Sequence, residues 1–124
     1  MANPKYWLVG ANWDGENKAP KFIRNGVWVL GKKDDDVQYA KARKMKKGDR
    51  IAIKRMPGKR PGLAIDHIGT VKGVLNETEV VVCTVDWFAT DLGRYLPDVP
   101  RHSQSVHGPF ERDQEKWLAK VFYI

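Results

Sequence analysis

Two segments carry the residue types best suited to chemistry. Tyr6–Trp13 reads YWLVGANW and Gly26–Gly31 reads GVWVLG; each sets a tryptophan where an apolar run meets a polar one. Trp13 lies between Asn12 and Asp14, and Asp86 precedes Trp87 in the same way further along. A site for one extruded base needs an aromatic face for stacking, polar groups for the base edge and cations for the phosphates. Trp13, Trp28, Trp87 and Phe88 can supply the face. Asn12, Asp14, Asp86, Ser103 and Ser105 can supply the edge contacts. Lys54, Arg55, Lys59 and Arg60 can hold phosphates. Trp7 and Trp117 read as core.

The charge distribution points to the same class of partner. The net charge is +7 over 124 residues, and ten Lys/Arg fall between Lys41 and Arg60 with one acid, Asp49. The rest of the chain is nearly balanced. A basic block of this kind suits a polyanion. The alternative is a solvated, solubilising face.

Enzyme signatures are missing. The chain has no phosphate loop, no Gly-x-Ser-x-Gly elbow, no His-Glu-x-x-His and no dinucleotide fingerprint. His67 lies in an apolar run and reads as structural. His102 and His107 are five residues apart but have no cysteine or carboxylate company for a metal. Ser103 with His107 is the one hydrolase-like pairing, and it lacks an elbow and a third member. No catalytic residue, metal or cofactor is therefore expected. Cys83, the single cysteine, rules out an internal disulfide and reads as a buried small hydrophobe. That usage fits a reducing cytoplasm. No run approaches 18 apolar residues, so no membrane span is expected.

The elements that must position these groups follow from pattern. Strands are expected at Lys5–Gly10, Val27–Leu30, Arg50–Met56, Leu63–Val74 and Glu79–Phe88. Within Arg50–Met56, Ile51 and Ile53 point inward and Lys54 outward. Gly69 and Gly73 mark bulges or bends. Asn12–Ala19 and Ala89–Pro100 read as loops. A short helix starts at Pro20 and stops at Asn25-Gly26. A second, capped by the Asp34–Asp36 run, spans Asp35–Lys46 with Val37, Ala40 and Met45 on its apolar face. A third spans Asp113–Phe122 with Trp117, Leu118 and Val121 buried. Consecutive strands with short turns imply antiparallel pairing. The expected fold is one α+β domain over residues 1–124: a twisted, antiparallel-rich sheet curled into a partly closed barrel, helices outside.

Tyr6–Trp13, Phe22–Trp28, Met45–Lys54, Ile68–Val71 and Val85–Trp87, in that order and spacing, resemble the EVE-type domains of the PUA superfamily, relatives of the YTH domains. The likeness runs from Tyr6 to Phe122. It is similar in particular to the N-terminal DNA-recognition domains of McrB-like modification-dependent restriction proteins, where such a domain precedes an AAA+ GTPase motor.

The resemblance implies a pseudo-barrel whose pocket receives a flipped, modified base. By position, Trp28 matches one wall of the aromatic cage of the YTH relatives. Asn12 and Trp13 match the loop after the first strand, and Asp86-Trp87 the end of the last long strand. The Val74–Glu79 turn is short and has no tryptophan, unlike the YTH pattern, which argues against N6-methyladenine and leaves 5-methylcytosine or 5-hydroxymethylcytosine open. The expected pocket is Asn12, Trp13, Trp28, Asp86, Trp87 and Ser103, with Asp86 accepting from a cytosine N4 amine.

The expected function is binding of double-stranded DNA with a modified base, as the specificity module of a restriction system. A motor domain in the same chain and a nuclease subunit are the expected partners, the chain being a fragment. Alternatives are a reader of N6-methyladenine or of modified RNA, a protein-interaction domain, and a small hydrolase.

Overall fold

The computed structural model describes residues 3–13, 15–31, 36–77 and 79–123. Asp14, Asp34 and Asp35, named above, lie outside these. The fold is α+β: a strongly curled, half-barrel mixed sheet with three short helices. The strands are β1 (Tyr6–Val9), β2 (Asn12–Trp13), β3 (Glu16–Asn17), β4 (Val27–Gly31), β5 (Arg50–Arg55), β6 (Leu63–Asn76), β7 (Val80–Ala89), β8 (Arg94–Leu96) and β9 (Val106–Phe110). The helices are α1 (Ala19–Asn25), α2 (Asp36–Ala42) and α3 (Leu118–Phe122).

Six strands form one hydrogen-bonded path, β4-β7-β6-β5-β1-β9, and β8 pairs beside them with β6. The β5-β6-β7 run is antiparallel, as its short turns require. Register shifts fall between Ile68 and Gly69 and between Val71 and Gly73. A Cβ on Gly69 would lie 2.6 Å from Val85 Cγ1 and 2.7 Å from the Asp86 carbonyl, so only glycine fits there.

The pairing of β1 with β5 is parallel, Tyr6 opposite Arg50 through Val9 opposite Ile53. Strand periodicity carries no sign of it, because a parallel neighbour returns only after a long crossover. Here residues 10–49 make that crossover. Strand β9 was not expected either. Its Pro109 interrupts the pattern but is tolerated because β9 is an edge strand.

Both faces of the sheet are covered over β1, β5 and the first half of β6, while the outer side of β7 is open, with Thr84, Asp86 and Phe88 exposed. Trp7, Val9, Trp28, Leu30, Ile51, Ile53, Val71, Val81 and Cys83 fill the inside of the curl. Leu8, Ala52, Leu63, Ile65, Ile68, Val99 and Val121 fill a second cluster on the outer side, with Trp117 packed against it. This explains a departure in β5. Lys54 was expected outward in solvent; it is only 7% exposed, because the outer face is itself buried and the register slips between Ile53 and Lys54.

Helix α1 has proline in its first turn and ends at Gly26, whose left-handed φ of 65° closes its N–H onto the last turn. Helix α2 is shorter than expected, and its buried side is Gln38, Tyr39 and Ala42; Val37 and Ala40 are exposed. The reason is its position. It packs against β9, β4 and β7, across the open seam of the half-barrel. Gln38 Oε1 accepts from the Val106 N–H of β9, and Tyr39 Oη donates to the Glu77 carbonyl beyond β6. Helix α3 is one short turn and a half, with Leu118 and Val121 buried.

Two tryptophans tie distant segments together. Trp7 Nε1 donates to Asp49 Oδ2 at 2.9 Å, and the same carboxylate accepts from the Lys5 and Lys46 backbone N–H groups at 3.1 and 3.0 Å. Trp28, fully buried on edge strand β4, donates Nε1 to the Gly10 carbonyl at 2.9 Å, just past the end of β1. Removing that donor leaves a carbonyl unpaired at about 1–3 kcal/mol. Trp28→Phe is therefore expected to destabilise the fold by about that much in urea titration; a loss below about 0.5 kcal/mol would show that the seam does not depend on this bond.

Candidate functional site

A cleft of about 120 Å³ opens where three remote segments meet. The loop after β1 brings Gly10, Ala11 and Asn12 and starts the β2–β3 hairpin that carries Trp13. The end of β5 brings Lys54, Arg55 and Met56, and the approach to β9 brings Ser103, Gln104 and Ser105. Leu30 of β4 closes the floor. The Gly10 N–H donates to the Ser105 carbonyl at 2.9 Å, pinning two of the walls. A second cavity of about 140 Å³ shares Ala11, Asn12, Lys54 and Arg55 with the first and extends to Asn17 and Asp66.

Asn12, Trp13, Lys54, Arg55 and Ser103 thus come together, although 91 positions separate the first from the last. Ser105 joins them. Trp13 is half-buried, its ring edge-on to Phe22 with centroids 6.2 Å apart. Asn12 and Ser103 are exposed.

Trp28, Asp86 and Trp87 are placed elsewhere. Trp28 has no exposed surface and stands behind the Gly10 wall, which corrects the expectation that it presents a face to a ligand. Asp86 is an exposed residue of β7 paired with Thr70, and it does not border the cleft. Trp87 packs against the inner core and donates Nε1 to the Val27 carbonyl at 3.2 Å. Both are carried off by the path of the sheet: β7 is separated from β1 by β6 and β5. Phe88 is exposed.

The four expected phosphate ligands are equally unlike one another. Lys54 is buried. Arg55 is committed to Asp66 through Nε at 3.0 Å and Nη2 at 3.3 Å. Arg60 lies over the Tyr95 ring at 4.4 Å, and Lys59 is exposed. The Pro57–Gly62 loop that holds them is clamped by Arg101, which donates to the Gly58 and Arg60 carbonyls at 3.0 Å. Arg101 was missed, since nothing in its sequence setting distinguishes it.

Lys54 is the most unusual charge in the chain. Its ammonium lies 3.6 Å from where a Gly10 Cβ would stand, and burial pushes its pKa down to about 8. No acid borders the 120 Å³ cleft among the described residues. The nearest carboxylate of the adjoining cavity, Asp66, already holds Arg55. The site therefore presents a donor-rich edge, the amine of Lys54 with the amides of Asn12 and Gln104, beside one indole.

His102 and His107 stand behind this edge, ring centroids 4.7 Å apart. His107 Nε2 accepts from the Gln104 N–H at 3.0 Å, so that nitrogen carries no proton. Burial first, then His102, Lys54 and Lys41, push the His107 pKa down to about 4. Burial also lowers His102. Ser103 makes no hydrogen bond to His107 among the described residues, so the nucleophile–base contact of a hydrolase is not formed. Among them no cluster of His, Cys, Asp or Glu can hold a metal. No helix of the described residues is long and apolar enough to cross a membrane. Burial raises the Cys83 thiol to about 12, with Asp49 adding to it, so the thiolate is suppressed.

Two outcomes follow from these charges. The depressed pKa of Lys54 means the unfolded chain holds more protons between about pH 8 and 10.5, so stability rises with pH over that window. Lys54→Met is expected to abolish that rise and to stabilise the fold at pH 7 by about 1–3 kcal/mol. A variant less stable than the wild type at pH 7 would show that the amine is not a cost. For His107 the window lies lower. Its contribution is complete above about pH 6.5 and is lost as pH falls toward about 4. His107→Gln keeps an acceptor for Gln104 and should flatten the acid-side fall of the melting temperature; parallel curves would rule out His107 as its source.

No protein-family model matches this chain, and no curated protein matches it either.

Proposed function

We propose that this chain binds double-stranded DNA carrying a modified base, 5-methylcytosine or 5-hydroxymethylcytosine, and holds that base in the cleft beside Trp13. The supporting observation is convergence. Asn12, Trp13, Lys54, Gln104 and Ser105 come from three distant segments to one small cleft that contains an aromatic face, amides and a buried cation without an acid partner among the described residues. These are the parts a base site needs. The curled half-barrel is in keeping with the PUA-superfamily, EVE-type fold that the sequence resembles. On that reading the chain is the specificity module of a McrB-like restriction system, served by a motor domain and a nuclease.

The cleft changes the residues assigned to the base. Trp13, not Trp28, is the stacking wall. Asn12 offers an acceptor for the cytosine N4 amine in place of Asp86, and Lys54 donates to the ring acceptors. About 120 Å³ is the share of about four water molecules, close to the bulk of one pyrimidine ring, so a single base fills the cleft. The wall best able to adjust to it is the β2–β3 hairpin, which has two residues in each strand. Gly10, Ser105 and the Trp28 indole hold the opposite wall in place.

The test is a binding panel at one fixed salt concentration, with duplexes containing cytosine, 5-methylcytosine, 5-hydroxymethylcytosine or N6-methyladenine, and a matched RNA. Tighter binding to a modified-cytosine duplex is expected. Trp13→Ala should remove about 1–3 kcal/mol from that complex and little from the unmodified one. Uniform affinity across the panel, or a Trp13→Ala variant that discriminates as the wild type does, sinks the proposal. Preference for the RNA would move the reading to an RNA module.

A further inference from the structure

The basic block between Lys41 and Arg60 is not one surface. Strands β1 and β5 run parallel, and the base cleft lies at their C-terminal ends. At their N-terminal ends lies a larger groove of about 610 Å³. Arg43, Lys44, Lys46, Lys47 and Arg50 border it, and Pro4 and Pro109 add ring surface. Arg43, Lys44, Lys46 and Lys47 are all exposed. From Arg50 to Lys54 the strand advances about 13 Å, at about 3.3 Å per residue. The groove and the cleft are therefore separate places on the molecule.

The groove has no free negative charge among the described residues. Its one carboxylate, Asp49, is 4% exposed, and both oxygens are occupied by the Trp7 indole and the Lys5 and Lys46 N–H groups. The Lys5 ammonium is taken up by Glu111. Asp49 thus fixes the groove's shape, and the cations around it have no carboxylate partner among the described residues. Five cations around a groove, two prolines in its lining and no competing acid suit a phosphodiester backbone: phosphates on the rim, sugars against the prolines.

We propose that this groove is a second nucleic-acid contact, gripping backbone phosphates of the same duplex whose modified base enters the cleft. The proposal rests on the DNA reading above. One strand rises about 3.4 Å per nucleotide, so a duplex lying along β5 would meet the groove about four nucleotides from the base. The groove contributes affinity and register; the cleft contributes selectivity.

The test uses the full chain with Arg43, Lys44, Lys46 and Lys47 all changed to glutamine, and Lys44→Gln with Lys47→Gln as a milder second variant. Binding to a 5-methylcytosine duplex and its unmodified twin is measured over a range of salt. Affinity for both is expected to fall by the same factor, about tenfold or more for the fourfold variant, with the ratio between them kept. The slope of log affinity against log salt should flatten by about 0.9 for each phosphate that is no longer neutralised. Placing the modified base fewer than about four base pairs from one or the other end of a duplex of unchanged length should reproduce the loss in the wild type for one of the two ends and add little in the variant.

An unchanged slope in both variants overturns the proposal. So does a loss confined to the modified duplex. If the wild type shows no preference for modified DNA while the slope still flattens, the groove stands and the base cleft falls.

Discussion

A half-barrel has an open seam, and the way this chain crosses its seam decides the rest of the structure. The sheet begins at β4 and ends at β9, and no backbone ladder joins those edges among the described residues. Side chains do so instead. Trp28 reaches from β4 to the Gly10 carbonyl at the end of β1, and Gln38 reaches from α2 to the Val106 N–H of β9. An indole donor buried without an acceptor is costly, so its bond to Gly10 fixes both partners. Gly10 in turn holds Ser105. One wall of the cleft is thus a consequence of closing the fold.

The same constraint separates the tryptophans by role. Trp7 and Trp28 are structural because each has one buried N–H with one fixed acceptor, Asp49 and Gly10 respectively. Trp87 is held by Val27 in the same manner. Trp13 sits on the short β2–β3 hairpin beside the cleft; it is half-buried and packs in part against the inner core. Aromatic content signals a ligand site only where the ring's surroundings leave a face uncovered.

Electrostatics divide along β5. One end of the strand carries a solvated cationic groove around a fully bonded aspartate; the other carries Lys54, desolvated and with no acid bordering its cleft among the described residues. An exposed lysine retains its hydration and acts through long-range attraction. A buried one is held at a desolvation cost that only a hydrogen-bonding partner offsets. One run of like charges in the sequence therefore provides two chemically different surfaces.

Much of this architecture is legible in the residues themselves. Alternation marks β1, β4 and the β5-β6-β7 meander; Pro20 and Gly26 bracket α1; Gly69 and Gly73 mark the breaks in register. Asn12 and Trp13 stand out in the sequence because a polar group and a ring adjoin at the end of an apolar strand, and both border the cleft. Asp49 is visible in the sequence as the one acid among ten cations, but its bonds to the Trp7 indole and to two backbone N–H groups are not. These features are local, and local pattern sets them. The parallel pairing of β1 with β5, the strand at Val106–Phe110, the burial of Lys54 and the removal of Trp28 and Asp86 from the cleft were decided only by the tertiary structure. Each depends on which strand lies next to which, and on which parts of each sheet face are covered. Periodicity tells which residues of a strand share a face; it cannot tell whether that face meets solvent, because the segments that cover it are dozens of residues away.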